Sequence, residues 1–238
     1  MTDTIAISNL CKSFQVDGRD LVVLQDLDLT VPAQEITVLL GRSGCGKTTL
    51  LRLIGGLDQD YTGTISMPPK ARTAMVFQEA RLMPWLTVSQ NIAFGLKKKE
   101  TDPDKIKELI LLTGLEGFSE ALPRQLSGGM QQRTALARAL ALDPGFILMD
   151  EPFAALDHFT REKMQQVLLD IHKKNRCGIL FVTHSIDEAL AIADQIVILE
   201  NHKAKKVYPV GSAWRASCTE DDRRALREDI LSSIEFPQ

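Results

Sequence analysis

No two cysteines in this 238-residue chain stand at C-x-x-C spacing. The four cysteines, at 11, 45, 177 and 218, are scattered, which excludes a zinc site of the usual spacing and fits a reducing compartment. No apolar run approaches the roughly 18 residues of a spanning helix, so a membrane link has to come through a partner. The first residues, Met1-Thr2-Asp3-Thr4, are neither basic nor followed by a signal-type apolar core, and no secretory signal is expected. A net charge of −3 gives no global pull toward nucleic acid or an anionic membrane. Low-complexity segments and internal repeats are absent. The composition is ordinary for a soluble globular protein, 44% hydrophobic and 25% charged, and the length suits one large domain or two small ones.

The chain is organised around Gly41-Arg42-Ser43-Gly44-Cys45-Gly46-Lys47-Thr48, which fits the phosphate-binding pattern G-x-x-x-x-G-K-[ST] without a mismatch. Phosphates must reach several backbone N–H groups, and a Cβ obstructs that approach, so glycines at 41, 44 and 46 are expected to open it. The setting also fits. Residues 35–40 suggest a buried strand and residues 49–54 a helix, whose first N–H groups and dipole favour an anion. Lys47 is suited to the β- and γ-phosphates, and the Thr48 hydroxyl to Mg²⁺. Cys45 lies inside this loop, where alkylation is expected to block nucleotide binding; the alternative is that it fills a small-residue slot.

Two alternating runs, 5–14 and 21–31, predict strands joined by a hairpin-like turn at Asp17-Gly18-Arg19-Asp20. Phe14 closes the first run, either as a half-buried strand aromatic or as a platform for a purine. Short strands are expected at 62–66 and 73–77, the second followed by Gln78, in reach of a metal or water or else simply solvated. Arg81 to Val88 form an apolar loop containing Pro84 and Trp85. Thr87 is the expected N-cap of a helix over 88–96. Lys97-Lys98-Lys99 suggests a solvated helix end, and Asp102-Pro103 opens another helix over about 104–113. Residues 84–142 are expected to form an inserted helical subdomain.

In Leu126-Ser127-Gly128-Gly129-Met130, Ser127 is a good N-cap but the two glycines are poor helix formers. Either they soften a cap, or they bare N–H donors as a second anion site. Asp143-Pro144-Gly145 stops that helix. The apolar run 146–149 suits a buried parallel strand, with Asp150 and Glu151 at its carboxyl end, where ligands bind in open α/β sheets. Asp150 is suited to hold Mg²⁺ through a water and Glu151 to polarise the attacking water; the alternative is a surface turn. A helix over about 160–174 and a buried strand at 178–182 lead to His184, a structural hydrogen-bonder or a sensor of the γ-phosphate. A helix over 185–193, a strand at 195–200 and its hairpin partner at 203–208 follow. Thr219 with Asp222 suggests a capping box for a charged C-terminal helix.

Taken together, GRSGCGKT at 41–48, Gln78 in VFQEA, LSGGM at 126–130, FILMDEP at 146–152 and His184 in VTH resemble the ATPase subunit of an ATP-binding cassette (ABC) transporter over about residues 3–210. Met130 departs from the commoner Gln. The resemblance implies a single nucleotide-binding domain over 1–238 with a short helical tail at about 218–238. Its α/β fold would be a P-loop core with a mainly parallel sheet, an N-terminal antiparallel β arm and the helical subdomain. The implied ligands are ATP and Mg²⁺. Phe14 corresponds to the adenine-stacking aromatic, residues 41–48 with Thr49 to the phosphate cradle, and Thr48, Gln78 and Asp150 to the Mg²⁺ site. Ser127, Gly128 and Gly129 would meet the γ-phosphate bound by a second copy, and Asp157 would cross that interface. Glu151, His184 and Gln78 would serve hydrolysis.

VFQEARLMPWLTVSQNIAFGL is similar to the nitrate/sulfonate/taurine-type importers of bacteria. The resemblance therefore implies a homodimer at the cytoplasmic face of the inner membrane, bound to an integral membrane permease and served indirectly by an extracytoplasmic solute-binding protein, with no nucleic-acid partner. A groove between sheet and helical arm, lined by Met83, Pro84 and Trp85, would meet the permease. Rival readings are a soluble ABC ATPase without transport, such as one in cluster assembly, a small-molecule kinase, and a nucleotide-gated module with negligible turnover.

Overall fold

The computed structural model describes residues 4–69, 71–97 and 101–234. Met1 to Asp3, Lys98 and Lys99 of the expected lysine-rich helix end, and the last four residues of the tail lie outside the described residues.

Strands β1 (Thr4–Val16) and β2 (Arg19–Pro32) form an antiparallel hairpin. Its turn is shorter than the four residues expected: Asp17 and Gly18 alone make it, with φ of 50° and 75°. Two successive left-handed residues match the twist of the flanking strands, which is why Asp-Gly closes the hairpin. β3 (Ile36–Leu40), buried at all positions, runs into the phosphate loop and α1 (Lys47–Ile54). β4 (Thr62–Ser66) returns beside β1. After β5 (Thr73–Val76) come α2 (Val88–Ala93), α3 (Pro103–Leu112) and α4 (Gly128–Ala141). The chain continues through β6 (Phe146–Asp150), α5 (His158–Asn175), β7 (Gly178–Thr183) and α6 (Ile186–Ile192). It closes with β8 (Gln195–Glu200), β9 (Lys203–Pro209), α7 (Ser212–Ser217) and α8 (Glu220–Ile234).

These elements divide into two compact units. The first comprises residues 1–70 and 178–238. It holds the antiparallel group β2-β1-β4 and a second group in which β7, β3 and β8 run parallel, with β9 antiparallel at the edge. β3 and β7 are apolar almost without interruption and buried throughout, the pattern of strands covered on both faces. The second unit, residues 71–177, holds the parallel pair β5 and β6 and the helices α2 to α5. Its core includes Phe146, Ile147, Leu148 and Met149 of β6 and Ala135, Leu136 and Leu140 of α4.

Capping set several boundaries as expected. Thr87 and Gln90 form a reciprocal capping box at α2, and Thr219 and Asp222 do the same ahead of α8. The structure departs from the sequence in two further places. The helix over 88–96 stops at Ala93, because Phe94 is extended and Gly95 takes φ 97°. The helix α7 was not foreseen. It carries Arg215, whose guanidinium donates to the carbonyls of Ile192, Ala193 and Val210 and pairs with Asp194 at 3.0 Å. Such a helix is held by distant partners rather than by its own short sequence.

Candidate active site

In the first unit, the phosphate loop leaves β3 and enters α1 through Gly46, the N-cap residue, at φ 104°. A side chain there would be strained, and its Cβ would sit 2.9 Å from the Val23 carbonyl oxygen and from Leu24 Cδ2 on β2. No side chain caps this helix start. A Cβ on Gly41 would strike the carbonyl oxygen of Leu199 on β8, so this glycine also lets the loop lie against its own sheet. Gly44, with φ 82°, has nothing within 4 Å of a Cβ position and lies on the exposed side of the loop with Arg42 and Ser43.

Lys47 opens α1 and is buried, yet its ammonium is satisfied within the loop. It donates to the carbonyls of Gly41 at 2.9 Å and Arg42 at 2.8 Å, and lies 3.7 Å from Cys45 Sγ. The charge is thus held at the mouth of the cradle by the backbone that would surround the phosphates. Thr48 and Thr49 follow in the first turn of α1, both half-buried.

His184 stands immediately beyond β7 and is exposed. Leu40 pairs with Thr183 in the parallel ladder, so Gly41 and His184 leave the sheet side by side at its carboxyl edge. The backbone around His184 is fixed by Thr183, whose hydroxyl donates to Glu188 at 2.5 Å and accepts from the Ser185 N–H at 3.0 Å. Ser185 then caps α6. Phe14 lies near the end of β1, opposite Leu21, and keeps 39% of its surface exposed.

The second unit repeats this logic at the ends of β5 and β6. Val76 pairs with Met149, so the segment carrying Gln78 and the pair Asp150 and Glu151 emerge next to one another. Glu151 has φ 44°, a left-handed conformation that costs a non-glycine residue on the order of 1–3 kcal/mol and clusters at functional sites. Gln78 is exposed, and its backbone is fastened by α4. Gln132 donates to the carbonyls of Phe77 and Gln78, and Arg138 to those of Ala80 and Arg81, at 2.8 and 2.9 Å. Arg81 covers the Phe77 ring at 3.9 Å. Gln132 and Arg138 were not singled out in the sequence, where they are two of several polar residues on α4.

Ser127 is the N-cap of α4, as expected, its hydroxyl accepting from the Met130 N–H at 3.3 Å. Ser127 and Gly128 are exposed and Gly129 is buried. A Cβ on Gly129 would meet Thr160 Cγ2 at 2.7 Å, so this glycine admits the first turn of α5. Asp157 caps α5, accepting from the Thr160 hydroxyl at 2.6 Å and its N–H at 3.1 Å. These bonds, the hydroxyl's first, hold the Asp157 carboxyl below the usual carboxylate range. Two helix N-termini therefore abut, each beside an exposed polar cap.

The loop around Trp85 is templated by Asn91, which is fully buried. Its side chain accepts from the Met83 N–H at 2.8 Å and donates to the carbonyls of Met83, Leu86 and Thr87. Trp85 is left 72% exposed.

Residues 24–154, more than half of the chain, match the family model described as ABC transporter. The chain belongs to the ABC transporter ATP-binding family. Aliphatic sulfonates import ATP-binding protein SsuB of Bacillus subtilis (strain 168) is 43% identical over 99% of this chain and 95% of its own length. SsuB 1 of Pseudomonas savastanoi pv. phaseolicola (strain 1448A / Race 6) is 49% identical over 74% of each chain. The dimeric, post-hydrolysis ATP-binding cassette MJ0796 bound to ADP and Pi has a TM-score of 0.75 at 28% identity, covering 87% of this chain and 98% of that one. The fold of this ABC ATPase is the P-loop cassette fold. No helix among its described residues is long and apolar enough to cross a membrane.

Proposed function

We propose that this ABC ATPase powers uptake of a small solute of the aliphatic-sulfonate type through a membrane permease, working as a homodimer at the cytoplasmic face. The observation that carries the nucleotide chemistry is the start of α1: a helix N-terminus without a side-chain cap, with a buried ammonium held at its mouth by two carbonyls. Such a start takes an anion readily, because its N–H groups and dipole point at it. The near full-length similarity to an import ATPase supports the transport role.

Each residue then has a task. Gly41 to Thr49 wrap the phosphates, with Lys47 against the terminal ones, and Phe14 stacks on the adenine. Thr48, Gln78 and Asp150 offer hard oxygen donors of the kind that hold Mg²⁺ alongside nucleotide phosphates. Bound there, the ion would neutralise charge on the β- and γ-phosphates. Glu151 draws a proton from the attacking water and His184 holds the γ-phosphate. Ser127, Gly128 and Gly129 of a second copy meet the same phosphate, with Asp157 at that interface. Because the γ-phosphate touches the second copy only when the pair is closed, ATP favours the closed dimer; its hydrolysis removes that preference. Met83, Pro84 and Trp85 pass the motion to the permease, and an extracytoplasmic binding protein delivers the solute.

Glu151→Gln tests the core of this scheme. ATP binding should persist while phosphate release falls at least about a hundredfold, within the usual range for a lost general base. Near-normal turnover would remove Glu151 from that role.

A further inference from the structure

Two lysines are buried among the described residues, Lys47 and Lys12. The first belongs to the phosphate loop; the second lies on β1, two residues before Phe14, and no task has been assigned to it. The Lys12 ammonium lies 2.9 Å from a carboxylate oxygen of Asp58, 3.2 Å from one of Asp60 and 2.5 Å from the Asp60 carbonyl. Asp58 and Asp60 are in the segment that connects α1 to β4. They are set against each other, since the Asp60 N–H donates to Asp58 Oδ1 at 2.9 Å. The same ammonium stands over the Phe14 ring, 4.7 Å from its centre.

This arrangement is more than a neutralised charge. One carboxylate would balance the ammonium; here three oxygen acceptors fix its position and point it at an aromatic face. Burial alone would lower the pKa of Lys12, but its hydrogen bonds to Asp58 and Asp60 outweigh that and hold it above the ordinary lysine value. The group is therefore a permanent cation at neutral pH. A cation over a ring is attracted by the ring's negative face and restricts how the ring can turn. Phe14 nevertheless keeps over a third of its surface exposed, so the cation covers the ring only in part. The strand bearing the aromatic is thereby tied to the exit of the helix that begins at Lys47.

We propose that Lys12 is a positioning residue for nucleotide binding: clamped by Asp58 and Asp60, it orients the Phe14 ring relative to the phosphate-loop helix and leaves the ring's open face for the base of ATP. The inference rests on the stacking role given to Phe14 above. It predicts an effect confined to the base-dependent part of affinity, because the phosphate cradle itself is untouched.

The full chain is titrated with ATP and, separately, with inorganic tripolyphosphate, which occupies a phosphate cradle but has no base. Stacking of one base on an aromatic side chain is worth about 1–3 kcal/mol, so Phe14→Ala should weaken ATP on the order of tenfold. Lys12→Met should weaken ATP about three- to tenfold, and neither variant should change tripolyphosphate affinity. In the Phe14→Ala background Lys12→Met should add nothing further, the coupling expected of a residue that acts through its neighbour. Lys12→Arg should recover most of the loss.

Wild-type ATP affinity in Lys12→Met beside a weakened Phe14→Ala would overturn the positioning role and leave stacking intact. An equal loss toward tripolyphosphate, or full additivity with Phe14→Ala, would mean that Lys12 supports the fold and not the ring, and would likewise overturn it. An unaltered Phe14→Ala would bring down the stacking role and this inference together. Should Lys12→Met fold poorly, Lys12→Gln, whose amide still donates to Asp58 but carries no charge, is held to the same expectations.

Discussion

Helices α1 and α4 both begin in glycine-containing loops, but their first turns are completed differently. At α1 the N-cap is Gly46 in a left-handed conformation, which makes no side-chain cap hydrogen bond, and a buried lysine is the first residue. At α4 the N-cap is Ser127, whose hydroxyl already accepts from the Met130 N–H, and the first residues are two glycines without charge. One start is left for an external anion; the other is stable by itself and offers exposed donors. A shared ligand reconciles the two. On the proposed function, the first end would hold the triphosphate and the second would touch its far end when another copy arrives.

The sharpest way to break this contrast is at Lys47. Lys47→Ala removes two charge-assisted bonds within the loop, each worth roughly 1.5–3 kcal/mol, as well as the proposed phosphate contact. ATP affinity should fall at least about a hundredfold by equilibrium titration; a loss below about threefold would show that α1 does not depend on its lysine. A thiol reagent sharpens the contrast further. Cys45 lies within the loop beside Lys47, whereas Cys177 is buried, which pushes its thiol up to about 11. At pH 7.5 alkylation should reach Cys45 and not Cys177, and ATP should slow labelling of Cys45 about tenfold or more. Labelling of Cys45 at the same rate with and without ATP would place the loop away from the nucleotide. The smallest effect on turnover is expected at Trp85, outside both helix starts. Trp85→Asp should leave basal ATPase within about twofold while abolishing co-purification with the permease; retained association and transport would discard this loop as the docking point.

Much of the first contrast was legible in the sequence. Gly-Lys-Thr after an apolar strand, and Ser before Gly-Gly, are local signals, and local capping chemistry also placed Thr87 and Thr219 at their helices. What was hidden depends on residues far along the chain. The need for Gly41 comes from Leu199, that for Gly129 from Thr160, and the pinning of the Gln78 segment from Gln132 and Arg138. Nothing within a window around Lys12 reveals that Asp58 and Asp60 will reach it. The left-handed backbone at Glu151 was equally invisible, because propensity predicts such a conformation for glycine or asparagine and not for glutamate.

Ser127 carries the central claim, because it belongs to the helix start that has no phosphate-binding lysine of its own. Loss of its cap alone costs only about 1 kcal/mol of helix stability, too little to unfold a domain, so a larger effect reports on the nucleotide. The deciding measurement is sedimentation of Glu151→Gln with saturating ATP, with and without Ser127→Arg. A dimer in the single variant, with the double variant binding ATP but remaining monomeric, is the predicted result. Equal dimerisation of the two proteins would contradict a triphosphate held between the lysine loop of one copy and the serine–glycine tip of another.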